Sequence, residues 1–187
     1  LEFRPQGTEK LSTIVFKYRD ILKKQHFYDY EHLRKPGLRT FVLSILPFIA
    51  GDLPSDTAFA LLNNELQSLQ PKQIDLLLWS LTTADNANKY DDAVSEAIKS
   101  KYDLNKGLLS NPFTSMQHCL KAHMYRTASQ IAVNCGLYKE AVLAALKIDK
   151  NYVKRIIKHS PKAMQVELCR IANIEMESEG YENTRIS

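Results

Sequence analysis

The sequence predicts an all-α protein, an α-α superhelix or α-solenoid of about ten short antiparallel helices. Apolar residues recur at the three- and four-residue spacing of a helix face along most of the 187 residues, and no segment alternates like a strand. Glycine, proline and polar clusters interrupt this pattern about every ten to twenty residues. Short helices with one apolar face bury it by stacking as hairpins, which is favoured over a four-helix bundle. A non-repetitive globular helical domain stays open as the alternative.

The chain before Pro71 divides into three helices at its proline and glycine residues. A first helix begins at Thr8 and runs toward Tyr28, with Pro36-Gly37 as the break after it, and a second ends near Gly51-Asp52. Pro47 removes a backbone donor and therefore kinks or shortens the second helix. The apolar faces of the three helices are Leu11, Ile14, Val15, Tyr18 and Leu22; Leu38, Phe41, Val42, Ile45 and Ile49; and Phe59, Leu62, Leu66 and Leu69.

Two more helices and an irregular stretch follow. Pro71 begins a helix that places Trp79 off its apolar face, where we expect the indole to pack on a neighbouring helix. Asp91-Asp92 begins the next helix, because negative charge is favourable at a helix N-terminus. The buried residues of these two helices are predicted to be Ile74, Leu77, Leu78 and Leu81, then Tyr90, Ala93, Val94, Ala97 and Ile98. Residues 102–110 are irregular, and their leucines should pack onto the helices.

The clearest helical pattern lies between Met116 and Ser160. One helix ends at Gly136, which can adopt the left-handed conformation, and the apolar period restarts directly after it. Small side chains at Ala141 and Ala145 let two helix axes approach closely, so Gly136, Tyr138, Ala141 and Ala145 define a helical hairpin. Asp149 should cap the following helix and Ser160-Pro161 the last one. Their inward residues are Tyr152, Val153, Ile156 and Ile157, then Met164, Leu168, Ile171 and Ala172.

The breaks divide the chain into four segments. Residues 1–7 are interpreted as a cloning remnant or disordered lead, 8–110 as N-terminal helical hairpins, 111–176 as C-terminal hairpins, and 177–187 as a disordered acidic tail. The first residue is Leu1 rather than methionine, which suggests a fragment of a longer protein. No window holds the roughly 20 apolar residues of a membrane span, and the start lacks the pattern of a secretory signal.

The net charge of +4 is mild and by itself indicates neither a nucleic-acid nor a membrane partner. Positive residues nonetheless recur every three or four positions late in the chain, which predicts a basic helix face. It consists of Lys147, Lys150, Lys154, Arg155, Lys158 and Lys162. The simplest interpretation is a solvated surface. Contact with an acidic protein, anionic lipid or RNA is the alternative, and RNA is the weakest because no RNA-binding motif accompanies the face.

Residue types that carry chemistry form no recognisable site. Cys119, Cys135 and Cys169 lie on apolar helix faces and are expected to be buried free thiols in a reducing compartment. His118, Cys119 and His123 lack a second ligand pair, and neighbouring residues point in different directions on a helix, which argues against zinc. Catalytic motifs, phosphate-binding loops and dinucleotide fingerprints were not found. The sequence therefore predicts a protein without enzymatic activity, cofactor or metal.

One segment resembles a known family. The run Leu137-Tyr138-Lys139-Glu140-Ala141-Val142, followed by Ala145-Leu146 and Ile148-Asp149, is similar to the helical hairpins of clathrin-heavy-chain-type repeats. It is most similar to those in the vacuolar protein sorting subunits of the HOPS and CORVET tethering complexes. The likeness covers residues 119–172 and does not reach the chain before Leu109. The amino-terminal propeller and carboxy-terminal RING finger of that family are not in this sequence.

The resemblance implies a non-enzymatic scaffold segment of a membrane-tethering or vesicle-trafficking complex. Its partners would be other protein subunits, with peripheral association with a membrane through the complex and with neither nucleic acid nor a small-molecule substrate. The expected location is cytoplasmic, on endosome or vacuole membranes. Nuclear-pore scaffold nucleoporins share this architecture and give one alternative, with location at the nuclear envelope. The other alternative is a helical-repeat module that binds RNA or anionic lipid through the basic face.

Overall fold

The computed structural model describes residues 71–102, 107–178 and 186, and within them it contains seven α-helices, one short 3-10 helix and no strand. The α-helices are α1 (Pro71–Thr82), α2 (Asp91–Tyr102), α3 (Pro112–Lys121), α4 (Tyr125–Asn134), α5 (Tyr138–Leu146), α6 (Lys150–His159) and α7 (Lys162–Ser178). The 3-10 helix, η1, spans Ala87–Tyr90. The all-α prediction is confirmed for this part of the chain. The three helices predicted before Pro71 lie outside the described residues, so the total of ten helices stays a prediction.

Each helix from α3 onward packs against the next one in the chain, and several also pack against the next but one. The second kind of contact joins α1 to α3, α2 to α4, and α5 to α7. The most extensive pair is α4–α5, and η1 contacts both α1 and α2. Helices of about three turns that each touch two or three neighbours therefore share one continuous core.

The core consists of the apolar helix faces together with one connecting segment. Its members in α1, η1 and α2 are Ile74, Leu77, Leu78, Leu81, Ala87, Tyr90, Val94, Ala97 and Ile98. From α4 to α7 they include Ala128, Ile131, Ala132, Ala141, Val142, Ala145, Val153, Ile156, Ile157, Leu168 and Ala172. Leu108 and Leu109 are buried as well, so the irregular stretch between α2 and α3 packs onto the helices. Leu104 lies outside the described residues.

Two apolar residues in first turns are more exposed than their helical spacing suggests. Phe113, the second residue of α3, is 55% exposed, and Met164, the third residue of α7, is also exposed. A helical side chain leans toward the N-terminus of its helix, so first-turn side chains extend past the packed part of the helix. Tyr138, Tyr152 and Ile171 are partly buried at the edges of their helix faces.

The turn between α4 and α5 is a Schellman motif. Gly136 has φ +74°, the N–H of Leu137 donates to the carbonyl of Ala132 at 2.8 Å, and the N–H of Gly136 donates to Val133 at 3.0 Å. A Cβ added at Gly136 would meet no atom within 4 Å, so only the positive φ favours glycine there.

The turn between α3 and α4 repeats this geometry with histidine in the left-handed position. His123 has φ +60°, and the N–H of Met124 donates to the carbonyl of Cys119 at 2.8 Å. This turn could not be predicted from the sequence, because a left-handed histidine is uncommon. Met124 and Leu137 then begin α4 and α5, and neither side chain makes a capping hydrogen bond.

The start and the end of α6 are fixed by side-chain hydrogen bonds. Asp149 caps its first turn, since Oδ1 accepts a hydrogen bond from the N–H of Tyr152 at 2.7 Å. Ser160 was expected to cap α7, but it is the C-cap residue of α6 and its hydroxyl donates to the carbonyl of Ile157. The last-turn carbonyls of α6 lack helical partners, so the nearby hydroxyl satisfies one of them.

The predicted tail segment 177–187 is described only in part. Glu177 and Ser178 are the last two residues of α7, and Ile186 is buried against that helix. Residues 179–185 and 187 lie outside the described part of the chain. Among the helices that the structure describes, none is both long enough and apolar enough to cross a membrane.

Candidate interaction surfaces

The structure distributes the predicted basic face over two sides of α6 and over its ends. Consecutive helical residues are about 100° apart, so Lys154 and Arg155 point to different sides. Lys154 and Lys158 face α7, whereas Arg155 faces α2 and α4. Lys150 is partly buried at the start of α6. Two further members lie outside that helix: Lys147 is the exposed C-cap residue of α5, and Lys162 is the exposed first residue of α7.

The first candidate site is a cleft of about 410 Å³ between α2, α4 and α6, here named the Tyr152 cleft. Two guanidinium groups flank its tyrosine, with Arg126 5.4 Å and Arg155 5.2 Å from the centre of the ring. Both distances are in the range of cation–π attraction. The lining residues are Asp92, Ser95, Glu96, Lys99, Arg126, Gln130, Val133, Asn134, Tyr152, Arg155, Ile156 and His159.

Charges of both signs line the Tyr152 cleft. Arg126 forms an ion pair with Asp92 at 3.0 Å, and Glu96 adds a second carboxylate. The cleft therefore lacks the single sign of charge that concentrates a phosphate or a cation. Burial raises the pKa of Tyr152, while the two arginines oppose this shift. The phenol therefore stays neutral at physiological pH.

One polar atom in the Tyr152 cleft has no partner within the described residues. The side-chain nitrogen of Asn134 is buried without a hydrogen bond, whereas its oxygen accepts one from Gln130 at 3.0 Å. An unsatisfied buried amide costs about 1–3 kcal/mol, so a polar group that entered the cleft would find a donor there.

The second candidate site is the α6–α7 groove, which has a volume of about 590 Å³. It is formed by Lys154, Ile157 and Lys158 of α6 and by Gln165, Val166 and Cys169 of α7. Ile186 completes its lining and is 3% exposed. Its main chain pairs with the side chain of Asn173. The N–H of Ile186 donates to Asn173 Oδ1 at 2.8 Å, and Asn173 Nδ2 donates to the carbonyl of Ile186 at 3.1 Å.

A third surface lies where α1 meets α3. Trp79 is 40% exposed and lines a shallow pocket of about 240 Å³ between the two helices. Asp75 is beneath it and binds the connecting segment, because its carboxylate accepts hydrogen bonds from the N–H and hydroxyl of Ser110 and, at 3.4 Å, from the hydroxyl of Ser115. This carboxylate therefore has an evident structural role.

The predicted hairpin residues lie at the α4–α5 contact. Gly136 is in the exposed turn, Tyr138 is partly buried, and Ala141 and Ala145 are fully buried. The close contact also contains a residue that the sequence analysis missed. The hydroxyl of Ser129 donates to the carbonyl of Ala141 at 3.0 Å, inside the core. The sequence feature that could have indicated this contact is a serine within the apolar face of α4.

The cysteine and histidine residues make separate contacts. Cys119 is buried and its burial raises the pKa of the thiol, whereas Cys135 and Cys169 are partly buried; none of the three forms a disulfide. His123 is exposed, and its Nδ1 is 2.7 Å from the hydroxyl of Tyr125. In the part of the chain that the structure describes, no three histidine, cysteine, aspartate or glutamate side chains are arranged to hold a metal ion.

The sequence and fold were compared with protein-family models, curated proteins and solved structures. None of the three comparisons gave a significant match to this chain.

Proposed function

We propose that this chain is a protein-interaction scaffold without enzymatic activity, built as an α-solenoid of helical hairpins, and that it belongs to a membrane-tethering or vesicle-trafficking complex. The observation that supports this proposal best is the pattern of helix contacts. From α3 onward each helix packs against the next one in the chain, and next-but-one contacts join α1 to α3, α2 to α4 and α5 to α7, as in a row of stacked helices. A stack of this kind presents a long surface to other proteins.

Apolar residues remain exposed at the edges of the described stack. On α7, Val166 is 82% and Ile174 51% exposed, and near the other end Trp79 and Phe113 are exposed on α1 and α3. Single exposed apolar side chains are common on protein surfaces. Exposed apolar residues on α1 and α3 and on the last described helix are what a stack shows where further subunits or repeats cover it.

The likeness to clathrin-heavy-chain-type repeats supports the choice of assembly. The segment around Leu137 to Val142 is most similar to vacuolar protein sorting subunit 18 of the HOPS and CORVET complexes. Under this proposal the partners are other large subunits, and the protein is on the cytoplasmic side of endosome or vacuole membranes through them. The nuclear-pore scaffold is the alternative assembly for the same architecture.

Affinity purification of the intact protein from its own cells tests this proposal. We expect tethering-complex subunits to remain bound, and we expect an Ile174→Asp variant to lose them. Lys162→Asp is the matched control, because it places the same side chain at an exposed position of the same helix without removing an apolar contact. Recovery of nuclear-pore subunits would support the alternative assembly. Recovery of no stable protein partner would contradict the scaffold itself.

Binding of RNA or anionic lipid through the basic face is the second hypothesis from the sequence, and the geometry favours it less. A surface that follows a phosphate backbone or membrane needs its positive charges on one side. Lys154 and Arg155 instead line different clefts, and Arg155 contacts Tyr152.

A further inference from the structure

We propose that the α6–α7 groove is a docking site for an extended peptide segment of a partner protein, with a branched aliphatic residue next to carboxylates. Ile186 of the same chain forms part of the wall of this groove, and the partner segment displaces it. This inference deepens the proposed scaffold function, on which it rests, by assigning the site and the chemistry of one partner.

The contact between Asn173 and Ile186 supplies the first argument. A primary amide donates through its nitrogen and accepts through its oxygen, and here both atoms pair with the N–H and C=O of one residue. In an extended chain these two groups point to the same side, as in paired β-strands. Asn173 therefore recognises main chain, which any residue sequence can offer, and it favours an extended segment.

The shape of the groove supplies the second argument. Ile157 is buried, Val166 is largely exposed at the rim, and Cys169 lies between them on the α7 side. The Ile186 side chain in this apolar groove is almost completely removed from solvent. A groove that combines main-chain hydrogen bonds with one apolar side-chain position binds peptides by the same physics as strand addition.

Charge identifies the partner. Lys154 and Lys158 line the groove one helical turn apart, and neither forms an ion pair with the described residues. Carboxylates next to the apolar anchor residue of a partner segment would pair with these two lysines, so an acidic segment fits the groove best.

Fluorescence anisotropy with the 187-residue chain and a labelled Glu-Asp-Ile-Glu-Asp peptide tests the proposal. We expect Ile186→Ser to increase the affinity, because it removes the competing side chain. Asn173→Ala in that background should weaken binding about tenfold, since two hydrogen bonds are lost. Asn151→Ala is the matched control, because that residue is an exposed asparagine on α6 outside the groove. Replacement of the peptide isoleucine by asparagine, or of its acids by amides, should also weaken binding.

A second readout keeps the proposal testable where Asn173→Ala perturbs folding. The Cys135→Ser substitution removes one of the two partly buried thiols, and Cys119 is buried. Thiol modification of this variant therefore reports mainly on Cys169 in the groove. Ile186→Ser should increase the modification rate, and the peptide should lower it again. Lys154→Glu with Lys158→Glu should abolish this protection.

Three results would overturn the docking site. The first is peptide binding that changes neither with Asn173→Ala nor with replacement of the peptide isoleucine. The second is the absence of peptide binding by the Ile186→Ser chain. The third is the formation of dimers that depend on Ile186, which would identify a second copy of this chain as the occupant. If the peptide did not bind the groove in this assay, the result of the affinity purification would still stand, so the two proposals can fail separately.

Discussion

Asp91 caps a helix that begins more than 30 residues after it: its Oδ1 accepts hydrogen bonds from both the backbone nitrogen and the hydroxyl of Thr127, each at 2.8 Å. The other carboxylate oxygen accepts the N–H of Arg126 at 2.9 Å. The α4 helix has Met124 at its N-cap position and no capping side chain of its own. The carboxylate at the start of α2 therefore satisfies the first donors of α4 and fixes the two helices relative to each other.

Replacement of Asp91 by alanine should lower the free energy of unfolding by about 2 kcal/mol, because buried donors of α4 lose a charged acceptor. Urea denaturation followed by circular dichroism measures this change. The control is Asp92→Ala, which removes only an exposed ion pair with Arg126 and should cost less than about 0.5 kcal/mol. Equal losses of unfolding free energy in the two variants would show that the hydrogen bonds of Asp91 to α4 stabilise the fold no more than the exposed ion pair of Asp92 does.

Substitution of Ala141 or Ala145 by leucine should cost about 1–3 kcal/mol of stability, because both alanines are fully buried where α4 and α5 touch. Thermal and urea denaturation are suitable measurements. Ala163→Leu, at an exposed position of α7, adds the same atoms without overpacking and should be nearly neutral. If neither leucine substitution lowered the stability, Ala141 and Ala145 would not lie at a close contact between α4 and α5.

Gly136→Ala should destabilise the chain by about 1 kcal/mol through its positive φ alone, since the added Cβ has free space. Gly136→Asn is the matched comparison, because asparagine tolerates the left-handed conformation better, and it should cost less than alanine. Equilibrium unfolding of the two variants gives the difference. If alanine were as stable as glycine, this turn would not require a left-handed residue.

The phenol of Tyr152 should ionise above the usual tyrosine range. Its signal is obtained from the difference between ultraviolet pH titrations of the parent chain and Tyr152→Phe. Burial raises this pKa and the two arginines lower it, so Arg126→Gln with Arg155→Gln should raise it further. The folded-state pKa exceeds the unfolded one, so the associated stability is fully present below the unfolded pKa and is lost as pH rises through the folded value. An unchanged pKa in the double variant would exclude the two arginine contacts.

Only two of the three thiols should react with a thiol reagent in the folded protein. Cys119 is buried and its raised pKa keeps it protonated, whereas Cys135 and Cys169 are partly exposed. Peptide mapping after brief modification identifies the labelled positions, and urea should expose the third thiol. Early modification of Cys119 would contradict its position in the core.

Local features of this fold could be predicted from sequence because their causes lie within a few residues. The apolar faces of α1 and α6, the left-handed Gly136 and the cap at Asp149 each depend on one helix and its ends. The positions of Phe113 and Met164 could not be predicted, since the extent of burial in a first turn depends on which helix lies beside it.

The contacts that define the candidate sites join distant parts of the chain. The pairing of Asn173 with Ile186 involves a segment whose polar composition suggested disorder, and the contacts of Arg126 and Arg155 with Tyr152 join two helices separated by α5. Helical periodicity places a residue on a face but does not say which other face it will meet. The basic face illustrates this, because its Lys154 and Arg155 line different clefts.

The central claim, that the helix stack binds another protein subunit through apolar contacts, is tested most directly by the salt dependence of co-purification. After a wash at about 0.5 M salt, where exposed charge interactions are largely screened, the intact protein should retain the same partner as a Lys147→Glu, Lys150→Glu, Lys162→Glu variant, whose lysines lie outside the α6–α7 groove. The Ile174→Asp variant should not retain it. Release of the partner by salt and by the lysine substitutions, with no effect of the apolar one, would contradict the claim.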